Sequence, residues 1–595
     1  MRGVEPVVPP RNNTRVYGSD AIASLLRELG YEYIALTPGA SFRGLHDSLV
    51  NFLGNTRPEL LLCVHEEHAV ALAHGWARVT GRPMPVALHS NVGLMHATMA
   101  IFNAWCDRVP MVIIGAQGPL DAMARRPWVD WIHTSTDLGS LVRGYTKWDN
   151  QPGSVPAALE AILRAHQIAT TAPPGPTYVC LDAALQEELA DPPPELPPLA
   201  RYVAPSPVDP SPEALATAKR LLVQAERPLL MLGRVSAKRE DWDRRVALAE
   251  RLGAHVLTDI KTAASFPSRH PLQPFPPTLY VTPEAGDLIR QADVILSFDW
   301  IDPGGTMRQA CGGKLPRGKV ILCSLDQYSH NGWSMDYQAL PPADLNMLAS
   351  PDRLVERLLD VIEPGAPRPA RTITPERNDP GPDMIEGRIS VEAMARIVTE
   401  TLEAANPSYI RLPLGWPGSC CHFADPLDYV GFDGGGGIGS GPGMAVGAAL
   451  ALRDMGSERL PVAVLGDGDY LMGLTALWTA VHYRVPLLVI VANNQSFFND
   501  ELHQERMARM RGRPVENRSI GLRMSEPPLD LATLARGQGA AGFGPAATLD
   551  ELAAAISAAV AEVRAGKVAV VDVAVAPEYA RATSNAMLRQ AQAEA

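Results

Sequence analysis

Short apolar runs alternate with longer amphipathic stretches along most of this chain of 595 residues. Runs of about four to eight apolar residues are typical of buried strands, and the amphipathic stretches between them are typical of covering helices. The predicted strands are 32–36, 84–88, 111–115 and 178–181, then 228–232, 254–258, 294–298 and 319–324, and finally 408–412, 460–465, 485–492 and 568–575. This pattern predicts an α/β fold of three doubly wound parallel-sheet domains.

Two proline-rich passages, 191–212 and 364–383, separate the groups of strands and are typical of semi-rigid linkers. We therefore predict domains at 14–190, 205–363 and 385–576. The last segment, 577–595, is polar and follows the final predicted strand. It is expected either to be disordered, as chain ends commonly are, or to fold over a site as a lid.

Composition excludes several classes of protein. The chain is 46% hydrophobic and 20% charged, as in ordinary soluble proteins, and its formal net charge is -12. The acidic balance without a basic patch predicts no nucleic-acid partner. The apolar runs are far shorter than the roughly 20 residues of a membrane helix, and no targeting signal is visible, so we expect no membrane contact and a cytoplasmic location. The seven cysteines lack metal-ligand spacing and are expected to be reduced thiols.

Polar motifs follow two strands of the third group. Gly-Asp-Gly occupies 466–468 at the end of one strand, and Asn-Asn occupies 493–494 at the end of the next. Parallel α/β sheets collect ligands at the carboxyl ends of their strands, and Mg²⁺ prefers oxygen ligands. We therefore predict a magnesium site formed by the Asp467 carboxylate, the Asn494 amide oxygen and the Ser496 backbone carbonyl.

The glycines beside Asp467 predict a tight turn next to a bound diphosphate. Gly466 and Gly468 let the backbone turn close to phosphate oxygens. A helix is predicted to follow at 474–483, and its N-terminus would add N–H donors for an anion. A lone Gly-Asp-Gly turn is a weak signal, but its pairing with Asn-Asn at this spacing is the fingerprint of a thiamine diphosphate site.

Three stretches, 64–81, 85–105 and 465–494, carry a resemblance that extends over about 16–575. The chain resembles the thiamine diphosphate enzymes of the pyruvate decarboxylase and acetolactate synthase superfamily, and within it the benzoylformate decarboxylases. The resemblance implies that the first domain binds the aminopyrimidine, the second is a spacer and the third binds the diphosphate. It also implies a coenzyme held between two subunits, and so a homodimer or homotetramer.

Glu66 matches the coenzyme-activating glutamate of the superfamily. A carboxyl group buried beside a flat apolar ring has a raised pKa and can share its proton with a ring nitrogen. The adjacent Glu67 is a competitor, but helical periodicity points it about 100° away. The alternative is that Glu66 makes only a surface salt bridge.

A glycine run at 434–439 precedes a helix predicted to begin near Pro442. By itself this run is only a candidate phosphate loop or turn. The resemblance implies that Ile438 props the coenzyme in a bent form and that the Gly436 carbonyl holds its amino group.

His89 stands at a predicted strand end, where the benzoylformate decarboxylases have an active-site histidine. An imidazole there could carry protons to and from the substrate oxygen, and the alternative is a structural histidine at the strand end. The serine expected to meet the substrate carboxylate is replaced by Ala40, and Ser41 is a candidate one place later. His65, His68 and His96 have weaker claims to a role.

Acidic residues occupy two further positions that the resemblance marks. Asp299 stands where a second catalytic histidine is expected, so that proton step must differ or be absent. Asp500 matches an acidic catalytic residue of the pyruvate decarboxylases, and Glu501 could do the same work. Either could instead cap the helix that follows.

Several functions remain open from the sequence. The first is decarboxylation of a bulky or aromatic 2-oxo acid; the nearby aromatic residues Trp76, Phe102, Trp105, Phe497 and Phe498 could be pocket or core. The second is a lyase or carboligase acting on 2-hydroxy ketones, because acidic Asp299 and Asp500 suit neutral substrates. Others are a 2-hydroxyacyl-CoA lyase, although no Lys/Arg cluster is evident, and a non-catalytic coenzyme-binding homologue. No motif commits the middle segment to FAD, which is therefore not expected, although a flavin-dependent oxidase or synthase is left open.

Overall fold

The computed structural model of the protein describes residues 4–9, 15–326, 339–364, 373, 381–432 and 434–580. The first sheet is wholly parallel. Its strands are β1 (Tyr33–Leu36), β2 (Glu59–Leu62), β3 (Pro85–His89), β4 (Met111–Gln117), β5 (Trp148–Asn150) and β6 (Pro176–Asp182), in the order β2-β1-β3-β4-β6-β5. Its helices are α1 (Gly18–Glu28), α2 (Arg43–Asp47), α3 (Glu66–Thr80), α4 (Ser90–Cys106), α5 (Val129–Ile132), α6 (Val155–Thr170) and α7 (Ala183–Glu187).

The second sheet is also parallel and lies in the middle of the chain. Its strands are β7 (Pro228–Leu232), β8 (His255–Thr258), β9 (Val294–Phe298), β10 (Lys319–Cys323) and β11 (Leu345–Met347), in the order β11-β10-β9-β7-β8. Its helices are α8 (Pro212–Gln224), α9 (Arg239–Leu252), α10 (Pro283–Gln291), α11 (Pro303–Ala310) and α12 (Pro351–Val361).

A short antiparallel hairpin, β12 (Met384–Ile385) and β13 (Arg388–Ile389), precedes the third sheet. The strands of that parallel sheet are β14 (Pro407–Arg411), β15 (Leu460–Gly466), β16 (Leu487–Asn493), β17 (Ala541–Ala546) and β18 (Val568–Ala574), in the order β14-β15-β16-β18-β17. The helices are α13 (Val391–Leu402), α14 (Gly441–Asp454), α15 (Asp467–Gly473), α16 (Ala476–His482), α17 (Phe498–Met510), α18 (Leu531–Arg536) and α19 (Leu549–Arg564).

These sheets confirm the predicted α/β class with three doubly wound parallel sheets. Every strand predicted from the apolar runs is present within two residues at each end. The helix predicted at 474–483 is present as α16, within two residues at each end, but a separate short helix, α15, begins at Asp467 itself and was not predicted. The domain boundaries stay predictions, and residues 581–595 of the proposed lid lie outside the described part of the chain.

The interior is apolar. The structure joins none of the seven cysteines in a disulfide, as expected of reduced thiols. Trp76 and Trp105 are buried in the main hydrophobic core, so these two aromatic residues are core rather than pocket. Among the described residues, no helix has both the length and the apolar character needed to span a membrane.

Helices α3 and α14 pack against each other and join the first sheet's layer to the third's. Their contact depends on glycines: a Cβ on Gly75 would overlap the carbonyl oxygen of Met444, and one on Gly447 would overlap that of Leu72. The absence of side chains at these two positions lets the helix backbones approach closely. This packing fixes the first turn of α3 relative to the start of α14.

Replacing Gly447 with alanine is expected to lower the free energy of unfolding by ~1–3 kcal/mol, because the added methyl group overpacks a close helix contact. The measurement is the midpoint of thermal unfolding at one fixed scan rate. Gly153→Ala is the matched control, since a Cβ at Gly153 would meet no atom within 4 Å. Equal midpoints for the two variants would contradict the close contact of α3 and α14.

Candidate active site

The carboxyl ends of β15 and β16 bring the two polar motifs together. The strands are adjacent and parallel, with Gly466 opposite Ala492, so Asp467 and Asn494 follow the ends of neighbouring strands. The Asp467 carboxylate accepts a hydrogen bond from the Gly468 amide at 2.8 Å and another from the Gln495 amide. The predicted motif residues therefore form one connected edge of the sheet.

Burial changes the acidity of this carboxyl group. Removal of Asp467 from water raises its pKa to about 6, although amide hydrogen bonds from Gly468, Gln495 and Ser496 pull the pKa downward. A buried carboxylate with this pKa is ionised at neutral pH only against an opposing desolvation cost. A cation placed against its oxygens would relieve that cost.

The turn after β16 is strained in a way that shapes the site. Gln495 has φ +59, in the left-handed region that non-glycine residues seldom adopt. The turn lets the Asn494 side-chain oxygen accept the Ser496 amide at 2.8 Å. Strain of this kind is commonly held at functional sites.

Glu501 is committed to holding this turn. Its carboxylate is fully buried and accepts the Ser496 hydroxyl at 2.6 Å and the Arg523 guanidinium at 2.9 Å. Burial opposes its ionisation, but the hydrogen bonds from Arg523 and Ser496 outweigh that cost and lower the pKa of Glu501. Because Ser496 and Arg523 hold its carboxylate, Glu501 is poorly placed to do the catalytic work considered for Asp500. Asp500 itself is exposed in the first turn of α17.

Glu66 is the first residue of α3, and its side chain is buried. One carboxylate oxygen, Oε2, lies 3.0 Å from His96 Nδ1. A Cβ on Gly93 would lie 3.2 Å from the other oxygen and 3.6 Å from the His89 Cβ, so Glu66 and His89 flank the same glycine. Because the Glu66 side chain is buried, it is not a surface residue, and its catalytic role stays a prediction.

The glycine run at 434–439 is fixed at both ends by buried carboxylates. Asp107, which His74 contacts at 2.9 Å, accepts the Gly434 amide. At the other end, Asp469 accepts the Gly439 amide at 2.7 Å and pairs with Arg411 at 2.8 Å. Neither Asp107 nor Asp469 was predicted from the sequence to hold the glycine run, although Asp469 lies only two residues after Asp467.

The middle of that run is open. Gly436 has φ +69, and a Cβ built there would meet no atom within 4 Å. Ile438 is 36% exposed although it is apolar. An exposed apolar side chain beside bare backbone is a surface suited to a flat ring.

His89 lies in a polar cluster that the sequence revealed only in part. Its Nδ1 is 2.9 Å from the Ser41 hydroxyl, so Ser41 reaches the histidine despite the shift by one residue. The rings of His89 and His133 meet edge to face, 4.6 Å between centroids. Burial, reinforced by the nearby His133, lowers the pKa of His89, which is therefore neutral and able to accept a proton at pH 7. His133 was not singled out from the sequence because nothing local marks it.

The structure does not bring Asp299 to this cluster. Its carboxylate is paired with Arg234 at 2.9 Å and accepts the Ser324 hydroxyl at 2.6 Å. Arg234 also donates to the Cys106 carbonyl at the end of α4, roughly 15 Å along that helix from His96 at 1.5 Å per residue. Within this chain Asp299 therefore lies in a buried ion pair away from His89, and its catalytic role stays a prediction.

Site residues of the first sheet's helix α3 and those around the third sheet contact each other within this one chain. Glu67 Oε1 lies 3.7 Å, and the Met472 Cβ 3.1 Å, from the position of a Cβ on Gly439. Thr475 Oγ1 is 3.3 Å from His68 Nδ1. The first turn of α3 and the end of α15 thus contact the glycine run from two sides. The expected placement of the site between subunits stays a prediction.

These residues fit thiamine diphosphate with Mg²⁺. An oxygen donor set lies at Asp467 and Asn494, open backbone and an exposed apolar side chain lie at 436–438, and a buried carboxylate lies at Glu66. The oxygen donors suit a hard cation, the open backbone with Ile438 suits a flat ring, and the Glu66 carboxylate suits a ring nitrogen.

Comparisons with known proteins identify the family of this chain. The thiamine pyrophosphate enzyme N-terminal TPP binding domain matches residues 16–137, the central domain matches 215–307 and the C-terminal TPP binding domain matches 414–573. The chain belongs to the thiamine pyrophosphate enzyme family.

Two curated relatives cover most of the chain. A benzoylformate decarboxylase of Pseudomonas aeruginosa is 27% identical over 519 residues, which is 84% of this chain and 89% of the relative. The acetolactate synthase large subunit of Haemophilus influenzae is 25% identical over 503 residues, 81% of this chain and 82% of the relative.

Solved structures share the fold. The benzoylformate decarboxylase of Polynucleobacter necessarius superposes with a TM-score of 0.77 at 21% identity, covering 95% of this chain and 99% of that chain. The thiamine diphosphate-dependent 4-hydroxybenzoylformate decarboxylase of Rhodococcus jostii RHA1 gives 0.75 at 22% identity, with 94% and 99% covered.

Proposed function

We propose that this protein uses thiamine diphosphate and Mg²⁺ to cleave or form a C–C bond next to a carbonyl, and that its reaction is the non-oxidative decarboxylation of a bulky or aromatic 2-oxo acid. The observation that carries the proposal is that two elements contact the same glycine run: the first turn of α3, which carries Glu66, and helix α15, which begins at Asp467. Glu67 Oε1 lies 3.7 Å from the position of a Cβ on Gly439, and Asp469 accepts the Gly439 amide at 2.7 Å. A carboxylate for a ring nitrogen and oxygens for a diphosphate-bound cation are the two requirements of that coenzyme.

Each residue has a defined task. Asp467, Asn494 and the Ser496 carbonyl would hold Mg²⁺, and Glu66 would exchange a proton with the aminopyrimidine. When bound, the coenzyme would supply a carbon nucleophile that adds to the carbonyl and a ring that takes up the electrons released when the adjacent C–C bond breaks. The Gly436 carbonyl and Ile438 would orient the ring.

The substrate side of the site is formed by His89 and Ser41. A neutral His89 can take a proton from, or return one to, the oxygen of the reacting carbonyl. Ser41 is buried and orients that ring through the hydrogen bond at 2.9 Å. His133 lies against His89 and supplies a second imidazole beside it.

The preference for an apolar substrate has separate support. Exposed apolar side chains adjoin the site residues in sequence: Val64, Val92, Met95, Ile438 and Met472. Exposed apolar groups around a polar centre are typical of pockets for apolar ligands. A bulky or aromatic side chain on the 2-oxo acid would cover this surface.

A lyase or carboligase of the benzaldehyde lyase or acetolactate synthase type is the second candidate, and the acetolactate synthase relatives support it. The electrostatic case for it is weaker than the sequence suggested. Arg234 neutralises Asp299, so only the exposed Asp500 carboxylate remains to disfavour an anionic substrate. A 2-hydroxyacyl-CoA lyase, an assembly as homodimer or homotetramer, and a cytoplasmic location stay predictions.

A substrate panel tests the proposal. Protein reconstituted with thiamine diphosphate and Mg²⁺ is given benzoylformate, longer 2-oxo acids, pyruvate, benzoin, acetoin and 2-hydroxyacyl thioesters, and CO₂ and aldehydes are measured. CO₂ release from aromatic 2-oxo acids is the expected result. Aldehyde or acyloin formation without CO₂ would replace the decarboxylase with a lyase or carboligase, and no turnover would indicate a non-catalytic homologue. A yellow colour in the purified protein would indicate a flavin.

The pKa of Asp467 predicts the pH dependence of coenzyme binding. Because a metal ligand must be deprotonated and burial raises this pKa to about 6, protons compete with Mg²⁺ below that pH. We expect the affinity for thiamine diphosphate with Mg²⁺ to be constant near neutral pH and to fall by about tenfold per pH unit below ~6. Titration calorimetry measures it, and an affinity that stays constant down to pH ~5 would contradict Asp467 as the metal ligand.

A further inference from the structure

Three potential metal ligands lie together at the first turn of α3. They are His65, Glu66 and His96, and one ligand atom from each lies within 4.8 Å of the others. His96 Nδ1 is already 3.0 Å from Glu66 Oε2. The rings of His65 and His96 stack with centroids 5.1 Å apart and 15° between their planes.

Rigid elements hold these side chains in place. His65 caps the N-terminus of α3, Glu66 is the first residue of that helix, and His96 lies on α4 less than one turn after Gly93, which adjoins Glu66. Both helices contribute buried residues to the main hydrophobic core. The backbone positions of the three ligands are therefore fixed before any ion binds.

Two imidazoles and one carboxylate form a donor set suited to Zn²⁺. Zinc binds three protein ligands of this kind and leaves a fourth position for water, whereas Mg²⁺ prefers oxygen ligands alone. The His96 side chain is 58% exposed, so an ion can reach the group from solvent.

One interaction opposes metal binding. His65 Nδ1 accepts the Glu67 amide at 3.2 Å, which places the ring proton of neutral His65 on Nε2. A metal ion at Nδ1 replaces that hydrogen bond, and a metal ion at Nε2 requires the proton to move to Nδ1, which breaks the same bond. The bond is at the long end of the usual range, so the opposition is small.

We propose that His65, Glu66 and His96 bind a divalent transition-metal ion of the Zn²⁺ class in the coenzyme-free protein, and that this ion competes with thiamine diphosphate for Glu66. The competition rests on the proposed function, because it requires the coenzyme ring to contact Glu66. The metal site itself does not. An ion held here would keep the activating carboxylate occupied, so zinc would act as an inhibitor that excludes the coenzyme.

The metal site is tested first on the full chain without coenzyme. Co²⁺ replaces Zn²⁺ as the probe, because its visible absorption is strong in four- or five-coordinate nitrogen-containing sites and weak in six-coordinate oxygen sites. The strong absorption is expected in the wild type and in His503→Asn, a control at an exposed histidine. It is expected to be lost in His96→Asn and in His65→Asn, where asparagine preserves the helix cap. Absence of the band in wild type, or its survival in both site variants, would overturn the site.

The competition is tested second, by titrating thiamine diphosphate with Mg²⁺ into protein that carries Zn²⁺. We expect the apparent coenzyme affinity to fall as Zn²⁺ rises in the wild type and to be unaffected by Zn²⁺ in His96→Asn. Metal binding without competition would refute the shared use of Glu66 and, with it, the placement of the coenzyme ring. Failure of the Co²⁺ test would refute the metal site and leave the proposed function as it stands.

Discussion

Replacing Glu66 with glutamine is expected to lower the rate of CO₂ release by about 10²- to 10⁴-fold, the usual contribution of a positioned proton-transfer group. Glutamine keeps the size of the side chain but cannot exchange a proton with the coenzyme ring. Coenzyme binding should persist, because Asp467 and Asn494 are unchanged. Single-turnover CO₂ release, together with the thiamine retained after gel filtration, separates the two effects.

Glu67→Gln is the matched control for that substitution. It removes the same charge from the next residue of α3, which lies against the Gly439 end of the glycine run rather than against Gly93. Its rate should stay close to that of the wild type. Equal losses of rate in the two variants, or no loss of rate in Glu66→Gln, would show that Glu66 takes no specific part in the chemistry.

Replacing Asp467 with asparagine is expected to weaken the binding of thiamine diphosphate by at least ~100-fold, because a direct ligand is lost where even supporting partners of metal ligands change affinity by 10- to 100-fold. Asparagine preserves an oxygen acceptor for the Gly468 amide but carries no charge for a divalent cation. Calorimetric titration at several Mg²⁺ concentrations measures the loss, which excess Mg²⁺ should partly reverse.

Asp500→Asn is the control for this second prediction. It removes the same charge from an exposed position in α17, which follows the neighbouring strand β16. Coenzyme affinity should be unchanged in this variant, whatever its turnover. A wild-type affinity in Asp467→Asn would mean that the oxygens at this edge of the sheet do not hold the cation.

The sequence predicted the interior of each sheet better than its edges. Central strands such as β4 and β16 are buried along their whole length and read as unbroken apolar runs. The strands that were missed are β2, β5, β11 and β17, each at the edge of its sheet, and the small hairpin at 384–389. Edge strands are covered on fewer sides, so a segment such as β5, with the sequence Trp-Asp-Asn, carries no apolar signal.

In the candidate site, too, the sequence predicted only the residues that carry a clear local signal. Asp467, Asn494 and Glu66 could be found because each lies in a short motif whose local chemistry is distinctive. The ion pair of Asp299 could not be predicted because its partner, Arg234, is 65 residues earlier in the chain. The hydrogen bonds that Asp107 and Asp469 accept from the glycine run, and the contact of His133 with His89, likewise join distant segments. Such contacts arise only from tertiary packing, which no local pattern in a single sequence encodes.

The measurement that tests the account most directly is a crystal structure of the protein with thiamine diphosphate and Mg²⁺. The account predicts Mg²⁺ about 2.0–2.1 Å from oxygens of Asp467, Asn494 and Ser496, and Glu66 within hydrogen-bond distance of the aminopyrimidine ring. It also predicts that His96 has moved away from Glu66. A bound coenzyme whose ring lies away from Glu66, or a diphosphate held without Asp467, would contradict the account.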